Sequence, residues 1–452
     1  MDAKEASFRV LMFPWLAHGH IFPFLELAKK LSKSNFHIYF CSTPVNLDSV
    51  TKHLSNDVVS NIELVELHLP SLPQLPPQYH TTKNTPPHLM PTLMHAFQMS
   101  SSSFSDIIGD LKPDLLIYDG FQPWSAKSAS SIGIPSVNFA TSSCTTISFF
   151  HHLHTHKTYG DFPFPSIFLR DFEKRNLISR GESIEVQDKE EGFAFGIFEL
   201  SCDIVLVKSC CREIEGKYMD YFSTLCNKKI VPVGPLVTAA AADNADVIDW
   251  LSGKPPFSTL YISFGSENYL SGKQMEEIAK GLLLVGEAIN FIWVVRSPGE
   301  TAAEEGGGCL PEGFSAAVEG RGLVLKGWAP QAAILAHPSV GGFMSHCGWS
   351  SVTESMYFGV PVVAVPLKLD QPVNCRMAVE GGVAVEVGRD EVSGEFSGEG
   401  VAEAVSEVMI VSGERLRYRA REMSEKMKME EREASFQVAD ELARICAKKV
   451  SP

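Results

Sequence analysis

The feature that most constrains this chain is a repeated alternation of short apolar runs with segments of helical period. The apolar runs are rich in Val, Ile, Phe and Leu, and apolar positions in the segments between them recur three and four residues apart. This alternation is typical of parallel sheets that are covered by helices on both faces. The predicted strands are 9–15, 37–43, 114–120, 134–141, 259–266, 291–296, 323–328 and 360–367.

The chain changes character in its middle, where a Pro/Gly pair precedes the small-residue, acidic stretch VTAAAADNADV. A chain of 452 residues exceeds what a single core usually supports. We therefore predict an N-terminal Rossmann-like domain over 1–237, a linker over 238–247 and a C-terminal Rossmann-like domain over 248–452, with the site in a cleft between them. By composition, 100–105 and 301–308 are expected to be exposed loops.

Charge and composition exclude several classes of function. The formal net charge is −15 without a basic cluster, so no nucleic acid partner is expected. No apolar run is long enough to span a membrane, and the polar N-terminus does not resemble a secretory signal, so we expect a cytoplasmic protein. The ten cysteines are scattered without CxxC spacing, which favours reduced thiols over disulfides or zinc ligands.

Residues 328–371 carry the most informative pattern, WAPQAAILAHPSVGGFMSHCGWSSVTESMYFGVPVVAVPLKLDQ. The glycine-broken SHCGWSS leads into a helical segment, so backbone N–H groups and the positive helix end would face an anion. His346, Ser350 and Ser351 add donors there, and Glu354, one turn into the helix, offers a carboxylate to ribose hydroxyls. Polar groups that could bind sugar hydroxyls follow the next strand, at Asp370 and Gln371. The pattern predicts a nucleotide-sugar site.

This 44-residue segment resembles the signature box of the plant family 1 UDP-glycosyltransferases at its Trp, Gln, His, Gly-Trp, Glu and terminal Asp-Gln positions. The resemblance implies uracil stacking by Trp328 and ribose binding by Glu354. It places the other residues near the base (Ala329, Gln331), the diphosphate (Ser266, His346, Gly348, Ser350, Ser351) and the donor sugar (Thr141, Trp349, Asp370, Gln371). The family commonly has Asn where this chain has Ser350, whose hydroxyl can still donate to phosphate.

The same resemblance extends to VGPL, SFGS and FIWVVR, and so to nearly the whole chain. It implies the GT-B fold, two Rossmann-like doubly wound parallel-sheet domains, with a terminal helix that packs back on the N-terminal domain. A terminal Gln371 in this family usually accompanies glucose, so UDP-glucose is the expected co-substrate. We expect no required cofactor, no metal and a monomeric protein.

Inverting transfer needs a general base for the acceptor hydroxyl, and neutral histidine suits that role. The family pattern Gly-His-x-x-Pro falls on His20, in the loop expected after the first strand, rather than on His18. Asp119, at the end of a predicted strand, matches the acidic partner that would orient the imidazole. A metal at the histidine-rich HHLHTH (151–156) is the weaker interpretation, because neither cysteine nor carboxylate completes a site there.

The acceptor is poorly encoded, because we expect the N-terminal domain to bind it, where loops vary most, while the C-terminal domain binds the UDP-sugar. The segments LMFPWLAHGHI, YDGFQPW and HCGWSS resemble the branch of plant enzymes that add a sugar to a sugar. We therefore expect β-1,6 or β-1,2 elongation of a flavonoid, terpenoid, apocarotenoid or lignan glycoside. The alternatives are transfer to an aglycone hydroxyl and a non-catalytic nucleotide-sugar-binding protein. A NAD-dependent oxidoreductase is disfavoured, because the first loop lacks the GxGxxG glycines that such enzymes need.

Overall fold

The computed structural model describes residues 7–54, 61–83, 85–158, 160–183, 197–238, 245–296 and 310–450. It divides into two compact units. The first comprises Met1–Asp161, Ser183–Leu236 and Met429–Pro452, and the second Phe162–Glu182 and Val237–Lys428. The boundaries that the sequence suggests stay predictions, and the structure differs from them in grouping Phe162–Glu182 with the second unit. Residues 239–244 of the expected linker and the expected loop 301–308 lie outside the described residues.

The strands of both units are short. In chain order they are β1 Phe8–Phe13, β2 Phe36–Ser42, β3 Ile62–Glu66, β4 Leu115–Tyr118, β5 Ser136–Ala140, β6 Ile204–Val207, β7 Lys229–Pro232, β8 Thr259–Ser263, β9 Asn290–Val295, β10 Gly322–Lys326, β11 Val340–Ser345, β12 Val362–Ala364 and β13 Ala384–Glu386.

The α-helices follow or separate these strands. They are α1 His18–Leu31, α2 Pro44–Thr51, α3 Met90–Met99, α4 Ser101–Leu111, α5 Pro123–Ser131, α6 Cys144–His156, α7 Asp171–Ser183, α8 Arg212–Cys226, α9 Ala245–Ser252, α10 Gly272–Val285, α11 Phe314–Ala317, α12 Gln331–Leu335, α13 Trp349–Tyr357, α14 Gln371–Glu380, α15 Gly398–Ser406 and α16 Gly413–Val450.

Within the described residues, each unit contains one parallel sheet. The order is β3-β2-β1-β4-β5-β6-β7 in the first unit and β10-β9-β8-β11-β12-β13 in the second. In both, the chain starts near the middle of the sheet and moves outward in each direction, which is the doubly wound arrangement. The prediction of two parallel α/β domains is confirmed.

Successive strand residues point to opposite sides of a sheet. Both faces of each sheet are buried, since the residues on the two sides pack in separate apolar clusters. In β1, Val10 and Met12 pack in one apolar cluster while Leu11 and Phe13 pack in another. The first of these clusters also contains buried residues of the last helix, Val438, Leu442, Ile445 and Cys446. The second half of α16 is therefore part of the core of the first unit.

Two local expectations are corrected by the structure. The serine-rich 100–105 is mostly helical, because Phe104 and Ile108 of α4 are buried in the core and their packing outweighs the low helix propensity of serine. Helix α1 begins at His18, so His20 lies in its first turn rather than in a loop, and Pro23 lies inside the helix.

Across the ranges that the structure describes, no helix combines the length and apolarity that crossing a bilayer requires.

A buried carboxylate in the first unit holds the start of α6. Glu215 on α8 is fully buried and accepts the backbone N–H of Cys144 at 2.6 Å and that of Cys210 at 2.8 Å. Burial raises the pKa of Glu215 to about 7, although these hydrogen bonds act in the opposite direction. The start of α6 therefore depends on an acid that titrates near neutral pH.

We expect this group to make the stability of the fold pH-dependent. Because the pKa in the fold exceeds the ordinary value of 4.5, the contribution of Glu215 is full below that value and is lost as pH rises through about 7. The loss amounts to about 3 kcal/mol. Melting temperatures between pH 4.5 and 8 should fall less steeply for Glu215→Gln than for the wild type, with exposed Glu213→Gln as the control. Equal slopes in wild type and Glu215→Gln would contradict this assignment.

Candidate active site

In the first unit, three side chains meet at the carboxyl edge of the sheet. His20 Nδ1 lies 2.7 Å from Asp119 Oδ2 and 3.0 Å from Thr141 Oγ1. His20 is in the first turn of the helix after β1, Asp119 directly follows β4 and Thr141 directly follows β5. Because β1, β4 and β5 are adjacent and parallel, their carboxyl ends deliver these side chains to one place.

The hydrogen bonds of Asp119 orient the imidazole of His20. Asp119 is buried, and its Oδ1 accepts the N–H of Gly120 at 2.6 Å while Oδ2 accepts that of Trp15 at 3.2 Å. An ionised carboxylate only accepts hydrogen bonds, so the nearby Nδ1 of His20 carries the proton. Nε2 then keeps its lone pair and can act as a base.

An aromatic ring contacts the same histidine, and the sequence interpretation did not include it. The ring of Phe121 meets that of His20 edge-on, with centroids 5.3 Å apart, and stacks on Trp15 at 5.2 Å. His18, the other histidine of this segment, packs against Phe22 at 4.9 Å. Only the residue motif around Asp119 could have pointed to Phe121, because such contacts leave no periodic signal in a sequence.

In the second unit, the expected donor residues follow strands β8, β10, β11 and β12 and so lie at one sheet edge. Trp328, after β10, keeps 62% of its surface exposed, which leaves an indole face open for stacking. Ala329 is buried. The amide nitrogen of Gln331 donates to Glu354 Oε2 at 2.8 Å and lies 3.5 Å from Ser351 Oγ. These two contacts link α12 to the first turns of α13.

His346 lies deep in this edge, between two glycines. A Cβ on Gly265 would lie 2.7 Å from Cε1 of the ring, and one on Gly348 would overlap Nε2. Burial, and then the charge of Lys368, lower the pKa of His346 to about 3, while a backbone hydrogen bond with Ser263 acts in the opposite direction. His346 is therefore a neutral imidazole at physiological pH.

The turn that carries His346 ends at a helix start whose N-cap residue is a glycine and so has no side chain to cap it. Gly348 is the N-cap residue of this helix, α13. Cys347 has a left-handed φ of 65° and is held by a hydrogen bond from Asn374 to its carbonyl at 3.2 Å. The N–H groups of a helical first turn need acceptors from outside the helix, and an anion is one kind of group that can supply them. Trp349 and Ser351 are buried, and Ser350, between them in this first turn, is half-buried.

The residues expected around the donor sugar lie at the start of α14 and are held by hydrogen bonds from neighbouring residues. Gln371 Oε1 accepts the N–H groups of Leu367 at 3.0 Å and Lys368 at 2.9 Å, so its oxygen is used and its NH₂ group remains a donor. Asp370 Oδ2 accepts a hydrogen bond from Asn374 at 2.9 Å. The backbone carbonyl of Ser266, after β8, accepts a hydrogen bond from the guanidinium of Arg296 at 2.6 Å.

The histidine-rich 151–156 forms the second half of α6. His152 Nδ1 lies 2.6 Å from the hydroxyl of Tyr221, and its ring stacks on that of His156 at 4.1 Å. Within the described ranges, no group of three or more His, Cys, Asp or Glu residues is placed to hold a metal ion.

Family models match two long parts of the chain. The model described as UDP-glucoronosyl and UDP-glucosyl transferase matches residues 258–417. The model described as glycosyltransferase, N-terminal domain, matches residues 6–238. The two matches cover both predicted domains.

Individual proteins match over almost their full length. A mogroside IIIx synthase from Siraitia grosvenorii is 48% identical, over 94% of this chain and 95% of its own. A β-D-glucosyl crocetin β-1,6-glucosyltransferase from Gardenia jasminoides is 43% identical, over 96% and 98%. A solved Phytolacca americana glycosyltransferase complexed with UDP-2-fluoro-glucose and pterostilbene is 26% identical with a TM-score of 0.76, over 98% of this chain and 100% of its own. The chain thus belongs to the plant family 1 UDP-glycosyltransferases, enzymes of GT-B fold that transfer a glycosyl group from a UDP-sugar to a small natural product.

Proposed function

We propose that this enzyme transfers glucose from UDP-glucose, with inversion, to a hydroxyl of a sugar that a natural product already carries. The contact between His20 and Asp119 is the observation that supports catalysis most directly, because it leaves Nε2 as a base. The names of the similar proteins support the class of acceptor.

The proposed reaction is a single displacement. Nε2 of His20 takes the proton of the acceptor hydroxyl while its oxygen attacks the anomeric carbon, and the bond from that carbon to the UDP oxygen breaks. Inversion follows, because the attack comes from the face opposite UDP. Asp119 then faces an imidazolium and stabilises it, as in the His-Asp pairs of hydrolases.

The second unit is proposed to stabilise the departing UDP. Trp328 stacks on uracil, while Glu354 binds the ribose hydroxyls. The N-terminal turn of α13, with Ser350 and Ser351, donates to the diphosphate as its negative charge grows. His346, which the resemblance places near the diphosphate, is neutral there, in agreement with its strongly lowered pKa.

Glucose is the proposed donor sugar. The NH₂ group of Gln371 can donate to sugar hydroxyl oxygens, and the carboxylate of Asp370 can accept from hydroxyl groups. Both residues match the family positions that surround the sugar, as does Trp349. Thr141, which the sequence interpretation placed near the sugar, contacts the same Nδ1 of His20 as Asp119, so we propose that its hydroxyl also steadies the imidazole.

Direct transfer to an aglycone is the alternative within this class, and a nucleotide-sugar-binding protein without activity is the alternative outside it. The His20 and Asp119 pair disfavours the second alternative. We also propose a cytoplasmic location, because the nine cysteines within the described ranges are all free thiols. A monomeric state stays a prediction.

Loss of the base should separate catalysis from donor binding. We expect His20→Ala to reduce transfer to background, because no other group takes the acceptor proton, while the Kd for UDP stays unchanged. Asp119→Asn should lower kcat by about 10³ to 10⁴-fold, because it favours the wrong tautomer. Stopped assays and calorimetric UDP titration would measure both. Transfer by His20→Ala at the wild-type rate would remove this residue from the mechanism.

The packing of His346 predicts a second variant, in which UDP binding is weakened, in contrast to His20→Ala. Gly348→Ala is compatible with the local φ of −60°, yet its methyl group would overlap the imidazole. We expect the ring to move and UDP binding to weaken by about tenfold or more. Gly388→Ala, where a Cβ meets no described atom within 4 Å, is the matched control. Equal UDP affinities for the two variants would show that His346 does not contribute to binding.

The acceptor class is tested with matched compounds. Purified enzyme and UDP-glucose would be supplied with aglycones and with their monoglucosides, and the linkage of each product would be determined by NMR. We expect the glucosides to react with the higher kcat/KM and the new sugar to be β-linked to the existing one. A higher kcat/KM for the aglycones would reject the sugar-on-sugar assignment. Parallel assays with UDP-galactose, UDP-xylose and UDP-rhamnose test the donor, and a preference for any of them would reject glucose.

A further inference from the structure

One buried amide in the second unit connects two parts of the proposed donor site. Asn374 lies on α14 and is fully buried. Its Nδ2 donates to Asp370 Oδ2 at 2.9 Å and to the backbone carbonyl of Cys347 at 3.2 Å. A carbonyl and an ionised carboxylate only accept hydrogen bonds, so the amide nitrogen and not the amide oxygen has to face them. A single side chain thus bridges the start of α14 and the turn before α13.

The bond to Asp370 draws its carboxylate away from the role that an aspartate usually has at such a position. Asp370 is the N-cap residue of α14, where a carboxylate commonly accepts an N–H group of the first helical turn. Within the described residues its side chain makes no such capping bond, and its Oδ2 accepts from Asn374 instead. The amide therefore sets the direction of the carboxylate that we propose to bind the donor sugar.

The bond to Cys347 holds a strained part of the turn before α13. Cys347 has a φ of 65°, a left-handed conformation that is unfavourable for a residue with a side chain. Its carbonyl and the N–H of Gly348 belong to one trans peptide group, so they point in opposite directions. Because Asn374 fixes the carbonyl, it also fixes the direction of this N–H, at the helix start where we propose that the diphosphate binds.

The surroundings of Asn374 make an amide a costly choice. Its neighbours Val373 and Cys375 are also fully buried, so the side chain lies in the interior. A buried polar side chain costs free energy unless its hydrogen bonds are made, and leucine has the higher helix propensity. Packing and helix formation therefore do not explain an asparagine at this position, whereas its two hydrogen bonds do.

We propose that Asn374 is a positioning residue that couples recognition of the donor sugar to recognition of the diphosphate, an inference that rests on the donor site of the proposed function. It acts on the sugar through Asp370 and on the diphosphate through Cys347. Gln371, another proposed sugar ligand, is held separately, since backbone N–H groups before α14 donate to its oxygen. Loss of Asn374 should therefore weaken the binding of both UDP and UDP-glucose, but through different bonds.

Binding measurements without an acceptor separate the two bonds. Calorimetric titration of purified enzyme would give the Kd for UDP and for UDP-glucose in wild type, Asn374→Leu, Asp370→Ala and the double variant. We expect Asn374→Leu to raise the Kd for UDP about tenfold, with or without Asp370, and the Kd for UDP-glucose by a larger factor. In the Asp370→Ala background the factor for UDP-glucose should fall to that for UDP, because no carboxylate is left for Asn374 to orient.

Asn46→Leu is the matched control for the loss of an interior amide. Asn46 of α2 is fully buried, and its Nδ2 donates to the side chain of the N-cap residue Thr43 at 2.9 Å and to the carbonyl of His80 at 3.5 Å. This variant should lose thermal stability, as Asn374→Leu does, while both Kd values stay unchanged. A similar rise of the Kd for UDP in Asn46→Leu would attribute the effect to lost stability and overturn the proposal.

The remaining outcomes distinguish this inference from the proposed function. Asn374→Ser, which is smaller and polar, is measured in parallel, so that the result does not depend on the folding of the leucine variant. If Asp370→Ala weakens only UDP-glucose binding and the factor for Asn374→Leu is the same in both backgrounds, the coupling is wrong and the proposed donor site stands. If Asp370→Ala leaves UDP-glucose binding unchanged, the proposed donor-sugar site is wrong, and the coupling fails with it.

Discussion

Parallel strand pairing is the constraint on which the rest of this structure depends. Parallel strands end at the same edge, so residues far apart in sequence come together wherever adjacent strands stop. In the first unit this brings His20, Asp119 and Thr141 within hydrogen-bonding distance, although up to 121 positions separate them. In the second unit the same rule collects the residues after β8, β10, β11 and β12.

Two histidines at these edges have contrasting environments. His20 is partly exposed and lies against an ionisable carboxylate, so a positive charge on its ring would be stabilised. His346 is buried beside Lys368, and both factors disfavour a positive charge. One side chain type is thus suited to proton transfer in the first unit and stays neutral at physiological pH in the second, because its surroundings decide its protonation state.

The sequence was sufficient for the parallel α/β class and for most central strands, because short apolar runs such as those of β1 and β9 are unambiguous. It was insufficient for β11, because Gly341 and Gly342 have low strand propensity. The structure needs glycine at position 341, where a Cβ would overlap the carbonyl oxygen of Phe257. It also missed α4, whose serines become helical only through packing. The residues of the candidate site came from motifs, whereas the contact of Thr141 with His20 is a tertiary fact that no local pattern encodes.

The packing of one imidazole between two glycines has a consequence for how this site can change over generations. Gly265 and Gly348 leave only enough room for the ring of His346, so the three positions form one steric unit. A side chain at either glycine is unfavourable while the histidine is present, and loss of the histidine leaves a cavity while both glycines remain. Sequence drift at these positions must pass through a less fit intermediate. The triplet should therefore persist as a unit while positions without such a mutual steric dependence diverge.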